Sequence, residues 1–232
     1  MISFKALSAL LTYPSEDLQV AVPAIRAALH GDGLLGPHRQ AAMEPLLVHL
    51  AQADLTDLQE EYVLLFDRSR TLSLNLFEHI HGESRDRGGA MVDLLDSYRA
   101  AGFDLTGTEL PDHLPVLLEF LSTQSLAAAQ EMLGDAGHIL VALAERLTRR
   151  GSRYAAVLEA LVALSQAPAD SAEAQILLAE TDDNPEDLAA LDAVWTEAQV
   201  TFGPDPNAGC PVSRDILARM AVPSAATIAA AE

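Results

Sequence analysis

Half of the 232 residues are hydrophobic and 21% are charged, enough apolar material for a substantial core and too much for wholesale disorder. Fourteen Lys and Arg against 34 Asp and Glu give a net charge of −20 and a pI near 4.5, which demotes nucleic acid and anionic membrane as partners, because both call for a basic surface. One cysteine, Cys210, allows neither an intramolecular disulfide nor a thiolate zinc cluster. The start, Met1-Ile-Ser-Phe-Lys5, carries no secretory signal and no apolar run nears the roughly 20 residues of a membrane span, so the expected place is the cytoplasm.

Alanine and leucine dominate, β-branched and aromatic residues are sparse, and apolar residues recur at three and four, which is a helical period. In chain order, Phe4 to Leu11 predict a first helix stopped by Pro14, and Ser15 caps a second through Leu29, after which Gly31 and Gly33 break the chain. A third lies between His38 and Ala53. A fourth starts at Thr56, which has capping-box spacing to Gln59, and carries Leu58, Tyr62, Leu65 and Phe66 along one stripe. A mixed stretch from Asp67 to Glu83 precedes a helix from Ser84 to Ala101 with Gly102 as its C-terminal cap. Pro111 leads into a helix whose apolar face is Leu114, Leu117, Leu118 and Leu121. Long helices follow over Leu126 to Arg150 and Ser152 to Gln166, separated by Gly151. Asn184-Pro185-Glu186-Asp187 opens a last helix carrying Leu188, Leu191 and Trp195. The expected fold is all-α: a single helical bundle domain over residues 1–202 and a flexible Gly-, Pro- and Ala-rich tail over residues 203–232.

Charge is unevenly spread. Residues 154–213 hold eleven acids and no Lys or Arg. Such a stretch is either a solvated face or an acidic rim that attracts a basic segment of another protein. Arg146, Arg149, Arg150 and Arg153 gather at a helix end, where cations favour the dipole, and need no ligand to explain them.

The densest group of unusual residues is Glu78-His79-Ile80-His81-Gly82-Glu83. On a helix His79 and His81 point to nearly opposite faces, and a His-Glu-x-x-His motif is absent, so no metal site is expected. The alternative is a metal-dependent hydrolase using His79, His81, Glu83 and His113. In Glu109-Leu110-Pro111-Asp112-His113, Asp112 either orients an imidazole or caps the helix that starts beside it. No phosphate loop, dinucleotide fingerprint or nucleophile elbow occurs, and Cys210 reads as a spectator thiol in the tail.

Tyr62-Val-Leu-Leu-Phe66-Asp67-Arg68, Leu72-Ser-Leu-Asn-Leu76-Phe77-Glu78-His79-Ile-His81-Gly-Glu83-Ser-Arg85-Asp86-Arg87-Gly88, Ala90-Met-Val-Asp-Leu-Leu95 and Glu109-Leu-Pro111-Asp112-His113-Leu-Pro115 closely resemble the nitrate-reductase molybdenum-cofactor assembly chaperone family, the NarJ type. Similarity is dense from Tyr62 to Ser122 and weaker over Leu7 to Pro14 and Tyr154 to Leu161. The resemblance implies an all-helical cytoplasmic chaperone, with no catalytic residue and no cofactor of its own. Its implied partner is the catalytic α subunit of nitrate reductase. It would hold that subunit's basic, amphipathic N-terminal segment, keep the apoenzyme open to cofactor insertion, and leave the mature enzyme. The Glu-x-Pro-Asp-His string is associated in the wider redox-enzyme maturation family with client handling. An amphipathic client helix needs an apolar groove, for which Tyr62, Phe66, Leu76, Phe77, Leu117 and Phe120 are the expected lining. The polar candidates for client contact are Asp67, Glu78, His79, His81, Glu83, Arg85, Asp86, Glu109, Asp112 and His113. A third reading is a structural subunit retained in the mature complex.

Overall fold

The computed structural model describes residues 1–81, 85–168 and 171–182, except the Arg85 side chain. All of these lie in the compact unit Met1–Leu188; the second unit, Ala189–Glu232, lies outside the described residues, as do the expected helix at Asn184, the tail, Cys210 and the boundary at residue 202. Among the described residues the chain is all-helical, with an isolated antiparallel bridge between Asn75 and His113 as its only β-pairing. The helices are α1 (Ile2–Leu10), α2 (Glu16–Gly31), α3 (Pro37–Gln52), α4 (Leu55–Tyr62), α5 (Leu76–His81), α6 (Arg85–Ala100), α7 (Leu114–Thr123), α8 (Leu126–Asp135), α9 (Gly137–Arg149), α10 (Ala155–Ser165) and α11 (Ala172–Ala179). A π turn, Val63–Asp67, continues α4, and a 3₁₀ turn, Arg70–Leu72, follows it.

Helix α1 is a short, strongly apolar segment that buries Phe4, Leu7 and Leu10 between α2 and α7. Helix α9 is buried almost all round, from Ile139 to Leu147, and packs on α10 and α11. One contiguous apolar core results, running from Phe4 in α1 to Leu177 in α11. At about 25 cal/mol per Å² of apolar surface removed from water, burying such side chains is the main favourable contribution.

Local chemistry sets the ends. The Ser15 hydroxyl accepts from the Leu18 amide at 3.2 Å, as its sequence position predicts. Gly102, at φ +78°, ends α6: its amide bonds to the Arg99 carbonyl and that of Phe103 to the Tyr98 carbonyl, while the Phe103 and Tyr98 rings meet at 5.6 Å. This is a full Schellman closure with its apolar contact.

Four readings need correction. Helix α4 starts one residue earlier than expected, because Asp54, not Thr56, is the cap: its carboxylate accepts from the Thr56 amide at 2.8 Å. Helix α11, capped by Ser171, was not anticipated. The expected helix from Leu126 to Arg150 is two, broken at Ala136. Gly137 there lies so near Ala167 that a Cβ would sit 2.3 Å from the Ala167 Cβ. Finally, Arg146 is not a surface complement to a helix dipole. It is 1% exposed, donates to the Thr71 carbonyl at 2.8 Å and to the Leu177 carbonyl, and meets Asp182 Oδ1 at 2.9 Å. A buried guanidinium persists only with such a full set of acceptors.

Gly137→Ala is expected to destabilise the protein by about 1–3 kcal/mol through overpacking against Ala167. Adding Ala167→Gly should recover part of the loss, a non-additivity that urea unfolding of the two single variants and the double variant measures.

Candidate functional site

The site is organised by a crossing of two irregular segments. Between the 3₁₀ turn and α5 the chain runs antiparallel to the residues that enter α7: the Leu76 amide donates to the Asp112 carbonyl at 3.1 Å, and the Leu114 amide to the Leu74 carbonyl at 2.8 Å. Asp112 is fully buried, and its Oδ2 accepts from the Phe77 amide at 2.9 Å. The cap therefore serves α5, 35 residues upstream, rather than the adjacent α7, whose entrance at His113 has no side-chain cap. Phe77 is the second residue of α5, where an amide has no intrahelical acceptor. Burial pushes the Asp112 carboxyl above its usual range, against the pull of the Phe77 hydrogen bond and of Arg87. The Tyr98 hydroxyl, donating to the Pro111 carbonyl at 2.8 Å, pins the same segment from α6.

With its backbone fixed in the bridge, His113 presents its side chain to a cleft of about 550 Å³ between α1, the π turn, the loop after α6 and α7. Its Nδ1 lies 3.6 Å from Glu109 Oε2. Burial holds the imidazole below its ordinary pKa, while Glu109 and Asp67 pull it back up. Asp67 is exposed as a residue, yet its carboxyl is partly desolvated and its pKa rises, with Glu109 adding to the rise and His113 opposing it. Four carboxylates line the cleft, from Asp67, Asp104, Glu109 and Glu119, and the lining contains no Lys or Arg. They come from residues 67–119 and not from the acid-rich stretch after residue 153.

Aromatic rings stiffen both walls. Tyr13 meets Tyr62 edge-on at 5.5 Å, Tyr62 meets Phe66 at 5.0 Å, and Phe66 meets Tyr154 at 5.2 Å; the Tyr62 hydroxyl donates to the Leu11 carbonyl at 2.9 Å. Opposite, Phe103 packs on Phe120 at 5.6 Å and on Tyr98, which itself lies 4.5 Å from Phe120.

The structure thus divides the residues singled out from sequence. Tyr62, Asp67, Glu109 and His113 meet at the cleft. Phe66, Leu76, Leu117 and Phe120, expected along a groove, are at most 5% exposed and belong to the core, because the helical stripe that carries them faces inward. Phe77 lies on α5, half-buried, its ring 5.8 Å from the His81 ring. Glu78 pairs with Arg87 at 3.1 Å, tying α5 to α6. His79 Nε2 is 2.9 Å from the Ser73 carbonyl, and burial lowers its pKa. Asp86 is exposed on α6, while Glu83 and the Arg85 side chain lie outside the described residues. Among the described residues, no three His, Cys, Asp or Glu side chains converge as metal ligands, and His79 and His113 serve separate partners. Sequence reasoning passed over Tyr13, Phe103, Leu105 and Val116 at the cleft. Tyr13 left a trace: a large aromatic beyond a helix end, next to Pro14, and half exposed.

Comparison with known proteins gives this geometry a context. The sequence model described as nitrate reductase delta subunit matches residues 32–160. The chain is 42% identical over 211 residues to the nitrate reductase molybdenum cofactor assembly chaperone NarJ of Escherichia coli K12, covering 90% of this chain and 88% of that protein. It is 42% identical over 209 residues, 89% of this chain and 86% of the relative, to an E. coli K12 protein named "Probable nitrate reductase molybdenum cofactor assembly chaperone NarW". Among solved structures, an Archaeoglobus fulgidus protein assigned to redox enzyme maturation superposes with a TM-score of 0.51 at 25% identity, over 70% of this chain and 91% of its own.

Asp112→Ala, which leaves the Phe77 amide without its acceptor, should cost about 1–2 kcal/mol of stability. Asp112→Asn keeps an acceptor oxygen and removes a buried charge, so at neutral pH it should cost far less. Because the Asp112 pKa is raised in the folded state, its contribution is full below the unfolded value and falls as pH rises through the folded one. The wild type should therefore gain on Asp112→Asn in mildly acid solution, as paired urea titrations at the two pH values would read.

Proposed function

The chain belongs to the nitrate reductase delta subunit family, and from that premise we propose that it is a dedicated assembly chaperone of nitrate reductase which holds the N-terminal segment of the catalytic α subunit in the cleft between α1, the π turn and α7. The observation that carries the reading is the cleft's make-up: apolar and aromatic walls, four carboxylates and no lining cation. An amphipathic helix with basic residues matches such a surface twice, its apolar face against Tyr13, Phe103, Leu105 and Val116, its charges toward Asp67 and Glu109. The relatives' names agree, since they are those of molybdenum cofactor assembly chaperones and not of catalysts.

In this reading the chaperone works by binding alone. Occupying the client's leader keeps that segment from premature engagement while the cofactor is inserted, and release frees it afterwards. Partly desolvated carboxylates supply specificity, while the outlying charges speed encounter and contribute little to the lifetime of the complex. Core residues such as Phe66, Leu76, Leu117, Phe120 and Asp112 support the cleft by packing and capping rather than by touching the client. No helix among the described residues is long and apolar enough to cross a membrane; in this reading the protein works in the cytoplasm, on the apoenzyme before membrane attachment.

Calorimetry with a synthetic N-terminal peptide of the α subunit tests this. Binding should be saturable at low ionic strength and weaken by about threefold to tenfold in strong salt, as screened charge pairs require. A folded sample that takes up no peptide at low salt would overturn the reading.

A further inference from the structure

The cleft's electrostatics are unfinished in one place. Glu119 has Lys5 at 3.6 Å and Glu109 has the His113 imidazole at 3.6 Å, but Asp67 has no hydrogen-bond or ion-pair partner among the described residues. Asp67 and Glu109, like charges, line the same cleft, and both border an apolar wall. Two carboxylates facing one space repel each other until a cation enters, so the arrangement is most stable when occupied.

Backbone geometry shows that Asp67 is placed and not merely present. A regular α-helix turns ~100° per residue, which would carry Asp67 roughly 140° away from Tyr62 and off the cleft. Instead the chain widens into the π turn Val63–Asp67, closed by the Arg68 amide on the Val63 carbonyl at 2.9 Å. The wider turn shortens the rotation, leaves Phe66 in the core and brings Asp67 back beside Tyr62 on the cleft wall. Tyr13, half exposed and edge-on to Tyr62, supplies an aromatic face on the same side.

We infer that Asp67, presented by the π turn and assisted by Glu109, is the specificity-determining residue of the cleft, and that it takes one cationic side chain of the client, arginine or lysine, against the Tyr13 and Tyr62 rings. This deepens the chaperone reading and rests on it. A carboxylate pair beside aromatic rings suits a guanidinium best, since its planar fork donates to two carboxylate oxygens and stacks on a ring. An ammonium satisfies the same charge as a point donor.

The test is a double-mutant cycle in the full chain. Wild type, Asp67→Asn and the remote control Glu145→Gln are titrated with the α-subunit peptide, and with versions in which each basic residue in turn is replaced by citrulline or exchanged between arginine and lysine. Asp67→Asn should weaken the unmodified peptide about tenfold, Glu145→Gln less than twofold. One citrulline position should lose the same factor and become indifferent to Asp67→Asn. The arginine-lysine exchange at that position identifies the preferred cation. Unchanged melting of Asp67→Asn excludes unfolding as the cause. Peptide binding to which Asp67 and every basic position contribute additively would overturn the assignment while leaving the chaperone reading intact. No binding of any peptide would overturn both.

Discussion

The fold's functional half hangs on one buried carboxylate. Asp112 reaches from the entrance of α7 to the start of α5, and with the backbone pairing around Asn75 and His113 it fixes two stretches that have no regular structure to hold them. A six-residue helix is far below the length at which helices persist alone. Its first turn survives because a remote side chain fills the place of a local cap. The same crossing aims His113 at the cleft and, through Pro111 and Tyr98, anchors the loop that carries Phe103 to Glu109.

A second carboxylate also caps a helix from a distance, with the opposite electrostatic outcome. Asp32, after α2, accepts from the Ser3 amide at 2.9 Å and from the Ser3 hydroxyl, and so caps α1, which lacks a side-chain cap of its own. Burial alone would raise the Asp32 pKa, but its hydrogen bonds from Ser3 and Leu34 hold it below the usual range. Its contribution is therefore present above the unfolded value and lost as pH falls through the folded one. Asp112 is completely buried, and the backbone donors it receives, Phe77 foremost, do not offset that, so there desolvation wins. The balance between donors and burial, not the residue type, decides which protonation state the fold prefers.

Much of the architecture was legible in the sequence, because helices announce themselves through period and punctuation. Ser15, Gly102 and Gly151 mark ends that the structure keeps, and Leu114, Leu117, Leu118 and Leu121 all face the core. What escaped depends on distant partners. The need for glycine beside the break at Ala136 comes from Ala167 lying against Gly137, Arg146 is buried by partners far along the chain, and Asp112 caps a helix that no local pattern connects to it. The apolar stripe through Phe66 and Phe120 was visible but ambiguous, since the spacing that builds a groove also builds a core. The cleft was the least legible feature. Its carboxylates are scattered over the π turn, a loop and α7, and only folding brings them together.

Those carboxylates also show why a binding protein can look overcharged. Most of the excess of acid can face water at little cost, and such exposed charges contribute little to any single contact. Asp67 and Glu109 differ because they share a cleft whose lining holds no Lys or Arg, only the His113 imidazole, whose charged form burial disfavours. Removing them would relieve repulsion in the free protein, which is the mark of a surface shaped for an occupant rather than for its own stability. The chain keeps that unrelieved charge on a helical turn whose register has been altered to display it, beside walls held by rings packed edge to face. Rigid walls keep small the ordering cost of binding, so that most of the electrostatic gain appears as affinity.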